Sequence, residues 1–377
     1  MVDVLIKGGR LIDPGQGIDR LADIAFADGK VLRIDDDIVP DNAKILIDAR
    51  DKIITPGLID LHTHVYWGGT SIGIEADSIA RRAGTTTFVD AGTAGPANFL
   101  GFRKHVIEHS RARILAYLNI SFAGIYAFSS KVMVGECNDI RLCDPAEVVR
   151  VARDHLDLTV GVKVRVGKIA SGADAAPYGL ARIAADELSL PVMTHLDLPP
   201  PTHADVVPTM KPGDILTHCF RPFPNAPIIS EREIKADVLA ARERGVIFDI
   251  GHGMGSFSFD TARAMMREGF MPDVISSDVH SLCVDGPAYD LLTTLSKFVC
   301  LDMPLPDIIH AATVAPAAAI NRPELGTLTP GSEGDASLLE VRTGKFDYVD
   351  STGIALAGKQ RLFCDGVVID GAWWPND

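Results

Sequence analysis

No stretch of this 377-residue chain approaches the ~20 consecutive apolar residues a membrane-spanning helix needs. An excess of basic charge is lacking too. Thirty-six lysines and arginines stand against 50 aspartates and glutamates, a formal net charge of −14, whereas nucleic acid or an anionic membrane calls for a basic face. An anionic small molecule remains compatible, because a local pocket can set a field opposite to that of the net charge. The six cysteines (Cys137, Cys143, Cys219, Cys283, Cys300, Cys364) form no Cys-x-x-Cys pair. That argues against a disulfide framework and a zinc ribbon, and for reduced thiols. The opening Met1-Val2-Asp3-Val4 carries an acid where a signal peptide has basic residues, and Gly8-Gly9 cuts the apolar run short. The chain therefore reads as cytoplasmic, and it has no internal repeat and no low-complexity segment.

What is present is a soluble globular composition, 47% hydrophobic and 23% charged. Residues 2–55 read as short strands with tight turns, Asp28-Gly29 marking a hairpin. From Gly57 onward, strand-like runs at 58–64, 85–91, 113–121, 159–166, 191–196, 215–219, 246–251 and 274–278 alternate with helix-like segments at 72–83, 97–109, 145–156, 178–188, 230–244, 259–267 and 290–300. Such alternation means right-handed crossovers and a parallel sheet. The number of runs suits an α/β fold of the (β/α)₈ TIM-type barrel, with a doubly wound open sheet as the alternative. A helix over 304–320 closes this region, and β texture returns at 326–331, 336–341 and 366–369. The predicted organisation is a small β-sandwich from 1–55 and 323–377 beside a barrel over 56–322.

Active sites of such barrels lie at the C-terminal ends of the strands, so the residues that end each run carry the functional signal. Pro56-Gly57-Leu58-Ile59-Asp60-Leu61-His62-Thr63-His64 ends in two histidines one residue apart, which a strand places on one face. Lys163 and Arg165 share a face of the fourth run, the fifth reaches His195, the sixth His218 and the eighth Asp278. Imidazoles and a carboxylate are ligands for a borderline metal such as zinc. Each has an ordinary reading as well: a histidine bonded into the core, an aspartate capping a turn. Cys219, next to His218, points to the opposite face and reads as packing. Lys163 is harder to explain as structure, because Val160-Gly161-Val162-Lys163-Val164 would strand a cation in a low-dielectric core. Burial lowers a lysine's pKa, and a neutral amine can take up carbon dioxide to become a carbamate that bridges two metal ions.

The stretch 57–64 with Lys163, His195, His218 and Asp278, in this order on these elements, resembles the binuclear metal site of the amidohydrolase superfamily. The flanks 47–57 and 326–336 resemble its sandwich portions, so the likeness spans essentially the whole chain. Gly161-Val162-Lys163-Val164-Arg165 and Asp249-Ile250-Gly251-His252-Gly253 are similar to the deacetylase-type, dihydroorotase-like branch. The resemblance implies two divalent metals, zinc in the first instance. His62, His64 and Asp278 would hold one, His195 and His218 the other, with N6-carboxylated Lys163 and a hydroxide bridging them. Asp278 would take the hydroxide's proton and deliver it to the leaving group.

The activity so implied is hydrolysis of an amide or ester, removing an acetyl or other acyl group from the nitrogen or oxygen of a small carboxylic acid. The alternatives are a cyclic amidase acting on a hydantoin, dihydropyrimidine or lactam ring, and a metal-free dihydroorotase-like scaffold. For substrate contacts the sequence offers Arg165, which could grip a carboxylate or pair with a protein acid, His252 in the glycine-rich 251–256 loop, and Tyr126. Dihydroorotases carry an arginine two positions after the second histidine; Tyr66 stands there in this chain, which counts against dihydroorotate. A small-molecule partner is expected, no nucleic acid and no membrane, and a homo-oligomer stays open.

Overall fold

A computed structural model of the chain describes residues 1–40, 43–230 and 232–376. The N-terminal segment forms β1 (Val2–Asp13), β2 (Ile18–Ala27), β3 (Lys30–Asp35), β4 (Ala43–Asp48) and β5 (Ile53–Pro56), with burial concentrated in the ends of β1, the second half of β2 and all of β5. Asp28 and Gly29 join β2 to β3 with φ of 52° and 76°, the double left-handed geometry that suits the twist of a two-residue hairpin.

One residue past β5 the parallel sheet begins. It comprises β6 (Leu58–Thr63), β7 (Thr85–Ala91), β8 (Arg113–Asn119), β9 (Thr159–Val166), β10 (Val192–Leu196), β11 (Ile215–Leu216) and, beyond a small antiparallel pair β12 (Ile228–Ser230) and β13 (Glu233–Ile234), β14 (Ile247–Phe248). The order β14-β11-β10-β9-β8-β7-β6 is curled. The run at 274–278 forms no ladder, yet it closes the gap. Its neighbours are bridged by Asp249 to Val274 and by Thr63 to Val279, and the Asp278 N–H donates to the His62 carbonyl at 2.7 Å. The result is the barrel the alternation implied. β6, β7 and β9 are buried at every position, as strands covered on both faces must be.

Around the sheet pack α1 (Asp77–Ala83), α2 (Phe99–His105), α3 (Pro145–Asp154), α4 (Ala176–Leu188), α5 (His203–Val206), α6 (Ala236–Glu243), α7 (Phe259–Arg267) and α8 (Leu291–Val299). Several sequence expectations need correction: the stretch 326–331 forms no strand, and the helix-like 72–83 is helical only over α1. The helix over 304–320 is two helices, α9 (Leu305–Ala312) and α10 (Val314–Ala319). Pro316 has no N–H for the Ala312 carbonyl and its ring crowds that carbonyl, so the chain breaks at Thr313. The helix-like 230–244 begins with β12 and β13 and is helical only over α6.

The C-terminal part returns as β15 (Ala336–Val349), β16 (Ala355–Ile369) and β17 (Ala372–Pro375) in a sheet of order β17-β16-β15-β5-β1-β2-β3, with β4 beside β1. β5 is the seam, parallel to β1 and antiparallel to β15. One apolar cluster runs from Ile53, Leu339 and Leu362 of this sheet to Phe102, Ala181 and Leu295 of the barrel helices. Among the described residues no helix is long and apolar enough to cross a membrane.

Candidate active site

β6 shifts register against β7 between Asp60 and Thr63, a bulge of the kind that re-aims side chains beside active sites. Beyond it, His62 Nε2 and His64 Nε2 stand 3.3 and 3.2 Å from Asp278 Oδ1. Lys163, in the middle of β9 and buried, reaches to 3.5 Å from His62 Nε2. His195 is the penultimate residue of β10, and its Nδ1 lies 2.6 Å from Nε2 of His218. His218 and Asp278 both sit just off their strands at positive φ, 65° and 48°, so it is the turn after each strand that aims them. The six residues, drawn from five runs of the barrel, converge on one point.

The second layer decides which atoms face that point. Thr217 Oγ1 donates to Asp249 Oδ2 at 2.6 Å and therefore accepts from His62 Nδ1 at 2.8 Å. With its proton on Nδ1, His62 presents a bare Nε2. His218 Nδ1 donates to the Gly251 carbonyl at 2.7 Å, which leaves its Nε2 bare as well. His64 Nδ1 meets Thr93 Oγ1 at 2.7 Å.

Burial holds all four imidazoles neutral. It lowers His62, His195 and His218 well below the ordinary histidine range and His64 to about 3. It also raises Asp278 to about 6 and lowers Lys163 to about 7. The site is thus crowded with lone pairs and short of protons. Asp278 Oδ1 and His195 Nε2 are buried without a hydrogen-bond partner, although two imidazole nitrogens crowd the former. Orphaned acceptors of this kind are costly. The ligating atoms of His62, His218 and Asp278 lie within 4.8 Å of one another, and a divalent cation would satisfy them together. The residues present fit a metal.

The cavity above this point measures about 30 Å³, room for about one water. Arg165, His280, Phe128, Ile125 and Ile72 line it with the histidines and Asp278. Roomier clefts exist, one of about 520 Å³ beside Arg263 and Thr352, but neither these residues nor their neighbours bring ligating groups together there. Arg165 is engaged: its Nη1 donates to Glu136 Oε2 at 3.1 Å, and its guanidinium lies 5.1 Å from the Phe128 ring centroid. The pairing with a protein acid is therefore present, while Glu136 Oε1 has no partner.

His252 lies away from the cavity. It is fully buried, its Nδ1 donating to the Gly253 carbonyl and its Nε2 accepting from Lys297, so neither nitrogen is left for a substrate. Tyr126 is 44% exposed and outside the lining. Tyr66 stacks on Phe102 and donates to the Asn98 carbonyl, so that position is absorbed into packing. Sequence reasoning passed over His280, Phe128, Thr217 and Lys297, and took Asp249 only as part of the 249–253 stretch. His280 carried a readable signal, since Asp278-Val279-His280 repeats the spacing of His62-Thr63-His64.

No protein-family model matches the chain. It is similar to a deacetylase of Agrobacterium fabrum, 34% identical over 346 residues that span 92% of this chain and 84% of the relative. It is also similar to a deacetylase of Enterococcus faecalis, 29% identical over 378 residues and 99% of each chain. Among solved structures, one described as an adenine deaminase superposes with a TM-score of 0.91 at 29% identity, covering 100% of both chains. Another, described as a dihydroorotase, gives 0.90 at 32%, covering 100% of this chain and 98% of the other.

Proposed function

The chain belongs to the amidohydrolase superfamily, and from that membership we propose that it is a hydrolase removing an acyl group, acetyl in the first instance, from the nitrogen or oxygen of a small carboxylic acid. The observation that carries this reading is the convergence of bare histidine nitrogens and the orphaned Asp278 oxygen on one point, in a chain whose full-length relatives are named deacetylases. The ligand set we assign is His62, His64 and Asp278 for one divalent metal and His195 and His218 for a second, zinc in both positions, with Lys163 between them. When bound, such metals lower the pKa of water and polarise a carbonyl.

The remaining steps belong to side chains. Lys163, with its amine held near neutrality by burial, adds its nitrogen to carbon dioxide and loses a proton, and so becomes an N6-carboxylate without an external base of unusual strength. Asp278 accepts the proton of the attacking water and returns it to the leaving nitrogen or oxygen. Arg165 has donors beyond the one engaged by Glu136, and a bidentate grip on the substrate carboxylate would give the site its preference for acids. Six unpaired thiols suit a reducing cytoplasm.

The test is acetate release by zinc-loaded, bicarbonate-treated protein from N-acetyl amino acids and O-acetyl 2-hydroxy acids, both enantiomers, beside matched compounds lacking the carboxylate. Release confined to the carboxylates is expected. A fully metallated protein that releases none, but opens a hydantoin or dihydropyrimidine ring, would overturn the deacetylase reading in favour of a cyclic amidase. A chain that takes up less than about one metal would be a scaffold.

A further inference from the structure

Among the described residues two lysines are fully buried. Lys163 lies in the site. The other, Lys297 on α8, lies outside it, and the reaction proposed above has no use for it. A cation in a core costs several kcal/mol unless its donors are met. Lys297 meets all three: Nζ donates to His252 Nε2 at 2.7 Å, to the Pro287 carbonyl at 2.7 Å and to the Val349 carbonyl at 2.9 Å. These acceptors belong to three separate segments, the loop after β14, the loop before α8 and the last residue of β15. Because His252 Nε2 accepts, its proton sits on Nδ1, which donates to the Gly253 carbonyl at 2.9 Å. The ring also stacks on Phe257 with centroids 4.7 Å apart.

What this arrangement grips is the triplet Gly251-His252-Gly253. Gly251 and Gly253 hold φ of 45° and 53°, and both pass too close to the site for a side chain. A Cβ on Gly251 would stand 2.4 Å from Thr217 Oγ1, and one on Gly253 would stand 2.2 Å from Asp278 Oδ2. The Gly251 carbonyl is also the acceptor that fixes His218. Glycines flanking one residue are conformationally loose; the Gly251 and Gly253 N–H groups donate to Ser276 Oγ and to the Ser277 carbonyl at 3.0 and 2.9 Å, and His252 is the one side chain the triplet itself contributes to its anchoring. We propose that Lys297 is a positioning residue: acting through His252, it locks the 251–253 turn and so sets the orientation of His218 and Asp278.

This rests on the metal reading of His218 and Asp278, and the test separates the two. Wild type, Lys297→Met, His252→Leu, His252→Gln and the Lys297→Met/His252→Leu double variant are loaded with zinc. Zinc release to a chelator and thermal unfolding are followed, and the visible spectrum is recorded after loading with cobalt instead. Lys297→Met is expected to release zinc about tenfold faster or more, with an altered cobalt spectrum. His252→Leu should match it, and the double variant should be no worse than either, because the two act as one unit. His252→Gln keeps an acceptor for Lys297 and should release zinc more slowly than His252→Leu.

A Lys297→Met protein that melts earlier but keeps the wild-type release rate and cobalt spectrum would overturn the proposal, as would single effects that multiply in the double variant. Should Lys297→Met fail to fold, equal release from His252→Leu and His252→Gln overturns it. A wild type that holds no zinc removes the metal reading itself, and this inference with it.

Discussion

At Thr217 a single hydroxyl accepts from His62 and donates to Asp249, and both bonds run through one oxygen. Thr217→Val keeps the shape and removes both. Metal affinity, measured by zinc competition against a chelator, should fall about 10–100-fold, and an unchanged affinity would detach this relay from the site. Asp278→Asn should abolish turnover while the protein retains much of its metal; undiminished acetate release would remove Asp278 from proton transfer. These two residues mark the limit of what could be read one letter at a time. Asp278 stood out only by its place at the end of the run at 274–278 and within the superfamily-like set, whereas Lys163 stood out by itself, because a cation among apolar residues is costly. Lys297, inside Leu291-Leu292-Thr293-Thr294-Leu295-Ser296-Lys297-Phe298, yields to the same argument. Thr217 does not, since a threonine in a strand is ordinary, and the partner of Arg165, Glu136, stands 29 positions away in an irregular loop.

Strands and helices were legible to different depths. Buried strands such as β8 announce themselves by unbroken apolar runs, here 114–118, and Asp28-Gly29 by its turn chemistry. β11 and β14 shrink to two residues each, because there the chain must leave the ladder early to aim His218 and the 251–253 turn. The β1–β2 pairing shows how an element repairs its own irregularity. Its register shifts between Ile6 and Gly9, and Asp23 on β2 accepts from the Gly8 N–H, from the Ile38 N–H and from Lys7 Nζ at 2.8, 2.8 and 2.6 Å. Burial pushes the Asp23 pKa up, but Lys7 and these N–H groups outweigh it and hold the carboxyl below its usual 3.8. The unfolded chain then binds the proton more readily, so this contribution is full above pH 4 and is lost as pH falls through the folded value. Asp23→Ala should cost about 3 kcal/mol in urea unfolding near neutrality. The difference from wild type should narrow in strong acid, and a constant difference down to that range would contradict the assignment.

For the molecule as a whole, the two ends of the chain meet at β5, and their sheet shares one apolar cluster with the barrel helices. A fragment of residues 56–322 would expose the faces of α1 and α8 that β16 covers. It should not fold alone, and circular dichroism with a cooperative melt from that fragment would show the sheet to be dispensable. The order of elements, the parallel barrel and the set of candidate ligand residues were legible in the sequence itself, since apolar period and residue type are local properties that survive without coordinates. Tertiary structure alone decided the rest: which imidazole nitrogen is bare, that Arg165 is paired while His252 is turned into the core, and that Lys297 ties three separate segments together. Hydrogen bonds between residues tens of positions apart fix those choices, and such partners are brought into reach only when the barrel closes.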